Sequence, residues 1–157
     1  MATVSLSLDE IYKLANKTLL ANGCDQETAD ILSELITNAE RDGSLSHGLF
    51  RLPAYVSGLK SGKINGKQKP DIKKLTPSVI KADGKNCLAP VVLNKSIPEL
   101  VKAAKENGVA VLAIINSHHM AAMWPETEKI AEEGLVAFAC TSYKPAVAPA
   151  GAIKPLF

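Results

Sequence analysis

The feature that most constrains the fold is a pair of apolar runs separated by a helix-length segment. Val109-Ala110-Val111-Leu112-Ala113-Ile114-Ile115 is uninterrupted, and Leu135-Val136-Ala137-Phe138-Ala139-Cys140 follows after a helical stretch over about 121–133. Each run is far short of the roughly 20 apolar residues that a membrane helix needs, and each reads as a strand buried on both faces. Strand, helix and strand in that order predict a right-handed crossover joining a parallel pair. The loop Asn116-Ser117-His118-His119-Met120 then lies at the C-terminal end of the first strand, where open parallel sheets bind ligands.

The first third of the chain has a helical period instead. Ser7 with Glu10 makes a capping box, and Ile11, Leu14, Ala15, Thr18 and Leu19 share a face before Gly23 ends the helix. A second helix after Asp25 places Leu32, Leu35, Ile36 and Ala39 on one face and stops at Asp42-Gly43, completing a helical hairpin. A third is expected to begin with Ser46 as its N-cap and to end near Ser61-Gly62, with Pro53 bending it or opening a new helix. From Gly62 to Asp83 lysine, proline and glycine dominate, and only residues 78–82 read as a strand. Ser96 with Glu99 predicts a further capping box and a helix closing at Asn107-Gly108; whether residues 85–95 extend it backward is open.

Composition narrows the function classes. A 157-residue chain with 46% hydrophobic residues can bury a core, so one globular domain or a piece of a larger one is expected. A net charge of +2 and 4% aromatic content give neither a one-signed stripe nor stacking platforms, so no nucleic-acid partner is expected. No membrane segment or leader is legible, and Cys24, Cys87 and Cys140 are too far apart for a zinc knuckle or redox pair. A cytoplasmic protein with free thiols, and no metal site, is the expectation.

Only two of the 18 basic residues are arginines, Arg41 and Arg51, and Arg51 stands four positions after His47 in Ser46-His47-Gly48-Leu49-Phe50-Arg51. On an α-helix those two side chains share a face about 5 to 6 Å apart, so an acid/base ring and a carboxylate-gripping fork would address one small carboxylated molecule. Near a helix start and beside a cation, the protonated ring is disfavoured and calls for an orienting acid, which Asp42 does not obviously supply. The plain alternative, equally weighted on the motif alone, makes Ser46 only a cap and His47 a surface residue. A Ser46–His47 hydrolase pair is disfavoured, because adjacent residues on an α-helix diverge by about 100° and no Gly-x-Ser-x-Gly elbow is present. The His118-His119 pair lacks companions at metal-ligand spacing. No Gly-x-Gly-x-x-Gly follows a strand, so a standard Rossmann site is not encoded. Met120 and Met123 read as core packing, whereas the indole of Trp124 is left open between core and a cover for a ligand ring.

These residues resemble the malate/L-lactate dehydrogenase family of non-Rossmann NAD(P)-dependent oxidoreductases. The resemblance runs through Arg41-Asp42-Gly43, Ser46-His47-Gly48 and Arg51, through Ser57-Gly58-Leu59 and Gly62-Lys63-Ile64-Asn65, and through Ser117, His119 and Ala131-Glu132-Glu133-Gly134-Leu135. Ala148-Pro149-Ala150-Gly151 to Pro155-Leu156-Phe157 looks like the stretch preceding that family's Gly-Thr-Asn-Pro segment. Within the family, His118 through Glu126 looks most like the branch reducing the cyclic imino acids Δ1-piperideine-2-carboxylate and Δ1-pyrroline-2-carboxylate. The resemblance implies an incomplete α/β fold: a helical N-terminal segment, residues 1–66, with the Ser-His-x-x-x-Arg site, then residues 67–157, a βαβ unit opening a cofactor-binding domain cut short at its C-terminal end. It implies a proton relay through Ser46 and His47, carboxylate binding by Arg51, and NADP or NAD contacts from His119, Met120, Ala121, Ala122 and Met123. A small carboxylate substrate, and a homodimer or a complementary C-terminal half as partner, follow from the same likeness. Members run to about twice this length, so a non-catalytic remnant is the alternative expectation.

Overall fold

The computed structural model describes residues 4–118, 121–141 and 145–156. The helical hairpin forms as its local signals require. Helix α1 spans Leu8–Ala21 behind a Ser7/Glu10 capping box, and α2 spans Gln26–Arg41 with the Asp25 carboxylate accepting the Thr28 N–H. Their apolar faces close on one another through Ile11, Ala15, Leu19, Leu32 and Ile36, and the same core takes in Tyr55, Leu88 and Val91 from later elements.

The segment after α2 differs from expectation. Instead of one α-helix capped by Ser46, the chain makes two 3-10 turns, Leu45–His47 and Leu49–Arg51, before α3 at Leu52–Lys60. Two features account for this. Gly43 takes φ +73 as α2 ends, and the Glu40 carboxylate reaches forward to accept the Leu49 N–H at 2.7 Å. That bond pins the backbone between the two turns, and Pro53 then sits in the first turn of α3, where its missing N–H costs nothing.

The sheet has three strands in the order β1 (Asp71–Thr76), β2 (Val79–Asp83), β3 (Val111–Ile115). β1 is a strand that its lysine-rich sequence conceals. It pairs antiparallel with β2 from Asp71↔Asp83 to Thr76↔Val79, with a register shift between Lys74 and Thr76, and its exposed lysines discourage edge pairing. β2 and β3 are parallel, from Val79↔Val111 to Asp83↔Ile115, and α4 (Ala89–Asn107) is the crossover between them. The parallel pair therefore lies one unit earlier than the apolar runs suggested.

Residues 134–141 adopt no strand, and Val136 and Phe138 are fully exposed. β3 is accordingly a sheet edge: Leu112 and Ile114 face the α4 side, while Val111, Ala113 and Ile115 face away and are exposed, so burial on both faces does not hold. Helix α4 starts at Ala89, with Pro90 in its first turn, rather than at Ser96. Ser96 is buried and bonds back to the Val92 carbonyl at 2.7 Å, and Pro98 lies inside the helix. The last helix, α5, is shorter than expected at Trp124–Ala131. Among the described residues, no helix is long and apolar enough to cross a membrane.

Candidate active site

The 3-10 turns decide how the candidate residues meet. Neighbouring residues diverge in a 3-10 turn as they do on an α-helix, yet the Ser46 side chain folds back so that its Oγ stands 3.0 Å from His47 Nδ1. Ser44 Oγ approaches the same nitrogen at 3.4 Å. One ring nitrogen is thus held between hydroxyls that either donate or accept, according to the tautomer. Ser46 is not an N-cap, and its side chain serves the histidine.

Arg51 closes the next turn, half-buried, and its Nε is buried without a hydrogen-bond partner. A guanidinium nitrogen in that state loses hydration without compensation, so an anion supplied from outside would satisfy it. Tyr55, one turn further into α3, is fully buried and its hydroxyl is likewise unpartnered. Burial pushes that hydroxyl up to about 12, with the nearby Arg51 charge pulling the other way.

Two nearby acids are occupied by other work. Asp42 makes a two-pronged pair with Arg41, at 2.8 Å and 3.1 Å, which holds its carboxyl below the usual range. Glu40 is committed to the Leu49 N–H, and its side chain lies where any Cβ at position 48 would go, which is why Gly48 occupies that place. Glu40, Ser44 and Tyr55 were not legible in the sequence. Their roles arise from chain reversals, and only the glycines at 43 and 48 hint at a tight approach.

The loop after β3 is laced to the segment that follows β2. Gly84 N–H donates to the Ile115 carbonyl, Asn86 N–H to the Asn116 carbonyl, and His118 N–H to the Cys87 carbonyl. Lys85, Asn86 and Asn116 all have positive φ, with Asn116 Nδ2 and the Lys85 N–H both donating to Asp83 Oδ1. This lacing fixes the C-terminal ends of the parallel strands. Beyond it, Ala121 and Ala122 are buried, and Ala121 lines a cleft of about 50 Å³ with Leu35 and Asn38 of α2 and Pro90 and Asn94 of α4. Met123 is half-buried, and the ring of Trp124 meets that of His47 at 6.4 Å between centroids and 75° between planes. His119 and Met120 lie outside the described residues. The structure therefore brings together Ser46, His47 and the start of α5, places Arg51 on the following turn, and leaves Phe50 in solvent.

An α/β chain with this helix order, a parallel pair and no glycine-rich dinucleotide loop defines a class outside the Rossmann group. The sequence profile described as malate/L-lactate dehydrogenase matches residues 6–157, and the chain belongs to that family. It is 39% identical over 155 residues to the Δ1-pyrroline-2-carboxylate/Δ1-piperideine-2-carboxylate reductase of Pseudomonas syringae pv. tomato, covering 99% of this chain and 45% of the relative. A Δ1-pyrroline-2-carboxylate reductase from Ancylobacter novellus is 41% identical over 153 residues, covering 98% and 45%. The crystal structure of Δ1-piperideine-2-carboxylate reductase from Pseudomonas syringae superposes with a TM-score of 0.80 at 39% identity, over 84% of this chain and 40% of that one. The chain thus spans less than half the length of the relatives it matches.

Proposed function

We propose that this chain carries the substrate-facing part of an NAD(P)H-dependent reductase for a small 2-oxo acid or, by preference, a cyclic 2-imino acid such as Δ1-pyrroline-2-carboxylate or Δ1-piperideine-2-carboxylate. The observation that supports it best is the pairing of a serine-held imidazole, His47, with a buried guanidinium nitrogen that lacks a protein partner, Arg51, on consecutive turns. Arg51 grips the substrate carboxylate by a two-pronged, charge-assisted pair. As the imidazolium, with Nδ1–H donating to Ser46 Oγ, His47 hands the proton of its other ring nitrogen to the imine nitrogen, or to the carbonyl oxygen of an oxo acid. A reduced nicotinamide, when bound, supplies the hydride to the carbon bearing the carboxylate, so C=N becomes CH–NH with one hydride and one proton consumed.

For NADP or NAD the loop after β3 is a fitting wall. Ala121 and Ala122 are small and buried, Met123 is apolar and half-buried, and none would obstruct a flat ring; His119 and Met120 belong to the same proposed contact set. Residues 121–123 carry no cation for the phosphates, so that grip is assigned to a second copy of the chain in a homodimer or to a complementary C-terminal half. On this reading residues 1–66 contribute the Ser-His-x-x-x-Arg site and residues 67–157 begin the cofactor-binding part. A reducing, cytoplasmic setting accords with three free thiols, at Cys24, Cys87 and Cys140.

The test is a panel of 2-oxo acids and cyclic imino acids read by NADPH and NADH oxidation, with the C-terminal segment of the relatives supplied in trans or in fusion. Turnover on a cyclic imino acid, lowered about a hundredfold or more by His47→Ala, is expected. Absence of turnover with every substrate and both cofactors would favour the non-catalytic remnant.

A further inference from the structure

Trp124 is the chain's single tryptophan, and with 37% of its surface exposed its indole is too open to be explained by core packing. It stands beside the candidate proton donor. The ring centroids of Trp124 and His47 are 6.4 Å apart with the planes at 75°, so the indole and the imidazole meet as two walls of one corner. The indole is carried on an anchored element. Pro125 follows in the first turn of α5, Thr127 Oγ1 donates to the Trp124 carbonyl at 2.9 Å, and Ala121 and Ala122 just before it are buried.

An indole in that place offers an electron-rich face to a cation and a flat apolar body to a ring. When the His47 imidazolium gives its proton to a cyclic imine, an N–H bond breaks on the imidazole and another forms on the substrate nitrogen. The positive charge moves with the proton onto the iminium, C=NH+, which hydride from a reduced nicotinamide then converts to CH–NH. The carbonyl of a 2-oxo acid takes up one hydride and one proton to become a neutral hydroxyl, and an open-chain oxo acid has no ring methylenes to lay against the indole. An aromatic wall beside the proton donor therefore favours the imine.

We propose that Trp124 is a specificity residue: its exposed indole surface contacts the ring of a cyclic 2-imino acid and favours the iminium over the neutral carbonyl of an open-chain 2-oxo acid. The proposal rests on the reading of His47 as proton donor to a substrate held by Arg51.

The experiment uses the chain with the C-terminal segment of the relatives supplied in trans. In the substrate panel, Trp124→Leu should lower the ratio of kcat/KM on Δ1-piperideine-2-carboxylate to that on pyruvate about tenfold, and Trp124→Phe should lower it less, because phenyl is a weaker cation-binding face than indole. If Trp124→Leu fails to fold, the smaller shift in Trp124→Phe carries this arm. For the second readout the chain alone is labelled with 5-fluorotryptophan, so that the one fluorine resonance reports on Trp124. Millimolar pyrrole-2-carboxylate, a flat five-membered ring bearing a carboxylate, should move that resonance, and pyruvate should move it less. An unchanged ratio in both variants, or a resonance unmoved by pyrrole-2-carboxylate, would overturn the proposal. Absence of turnover with every substrate would instead remove the reductase reading, while the fluorine titration still decides whether Trp124 meets a ring-shaped carboxylate.

Discussion

Residues 8–60 and residues 109–156 are both rich in apolar side chains, yet they dispose of them in opposite ways. In the first region Leu19, Leu32 and Ile36 are fully buried, and the hairpin closes on itself across one short connection. In the second, Val136, Phe138 and Ile153 are almost entirely in solvent, and β3 shows one apolar face outward. The difference is one of range. A helix satisfies its backbone within itself and needs only one facing stripe, whereas a strand needs a neighbour for its backbone and a layer on each face.

The contrast can be broken most forcefully in the hairpin. Leu32→Ala should destabilise the chain by about 2 to 5 kcal/mol, read as a lower midpoint in urea, because a fully enclosed site cannot collapse around the lost methyls. A small effect would mean that the first region is no better packed than the second. Next in size is Gly48→Ala, where an added Cβ would meet the Glu40 carboxylate and displace it from the Leu49 N–H. Losing that charge-assisted bond should cost about 1.5 to 3 kcal/mol and loosen the turn that carries His47, visible as faster amide exchange at Leu49.

A third variant sharpens the picture through pH. Burial opposes ionisation of Asp25, but Lys69 and the Thr28 N–H outweigh it and hold the carboxyl at about 2, where it caps α2. A carboxyl depressed in the folded state contributes stability above its unfolded pKa and loses it as pH falls toward the folded value. Asp25→Ala should therefore cost about 1 kcal/mol at neutral pH and progressively less between about pH 4 and pH 2, measured by denaturant titration. A cost independent of pH would show that the cap, and not its charge, matters. Smallest of all, Phe138→Ser should change stability by no more than about 0.5 kcal/mol, since the ring touches little of the described chain. A large loss would place Phe138 in a core.

The same contrast governs what the sequence disclosed. The ends of α1 and α2 were legible because caps and helical spacing are local signals carried by Ser7, Glu10, Asp25 and Gly43. β1 was not, since Lys73 and Lys74 obscure an alternation that only pairing with β2 reveals. Pro90 and the Leu88 to His118 bridge start α4 earlier than Ser96 indicated, through a partner thirty residues away along the chain. The site divides likewise. Ser46, His47 and Arg51 stood out by residue type and spacing, but the 3-10 turn that puts Ser44 and His47 on one side, three residues apart, goes with Glu40 folding back on Leu49. The approach of Trp124 depends on the whole β2–α4–β3 unit.

Whether Arg51 and His47 act on one bound carboxylated substrate is decided most directly by the kinetics of Arg51→Lys with the C-terminal segment of the relatives supplied. A lysine keeps the charge and loses the planar fork, so KM for a cyclic imino acid should rise while kcat changes little, with Arg51→Ala raising KM further. Kinetics unchanged in both variants would remove Arg51 from the substrate site.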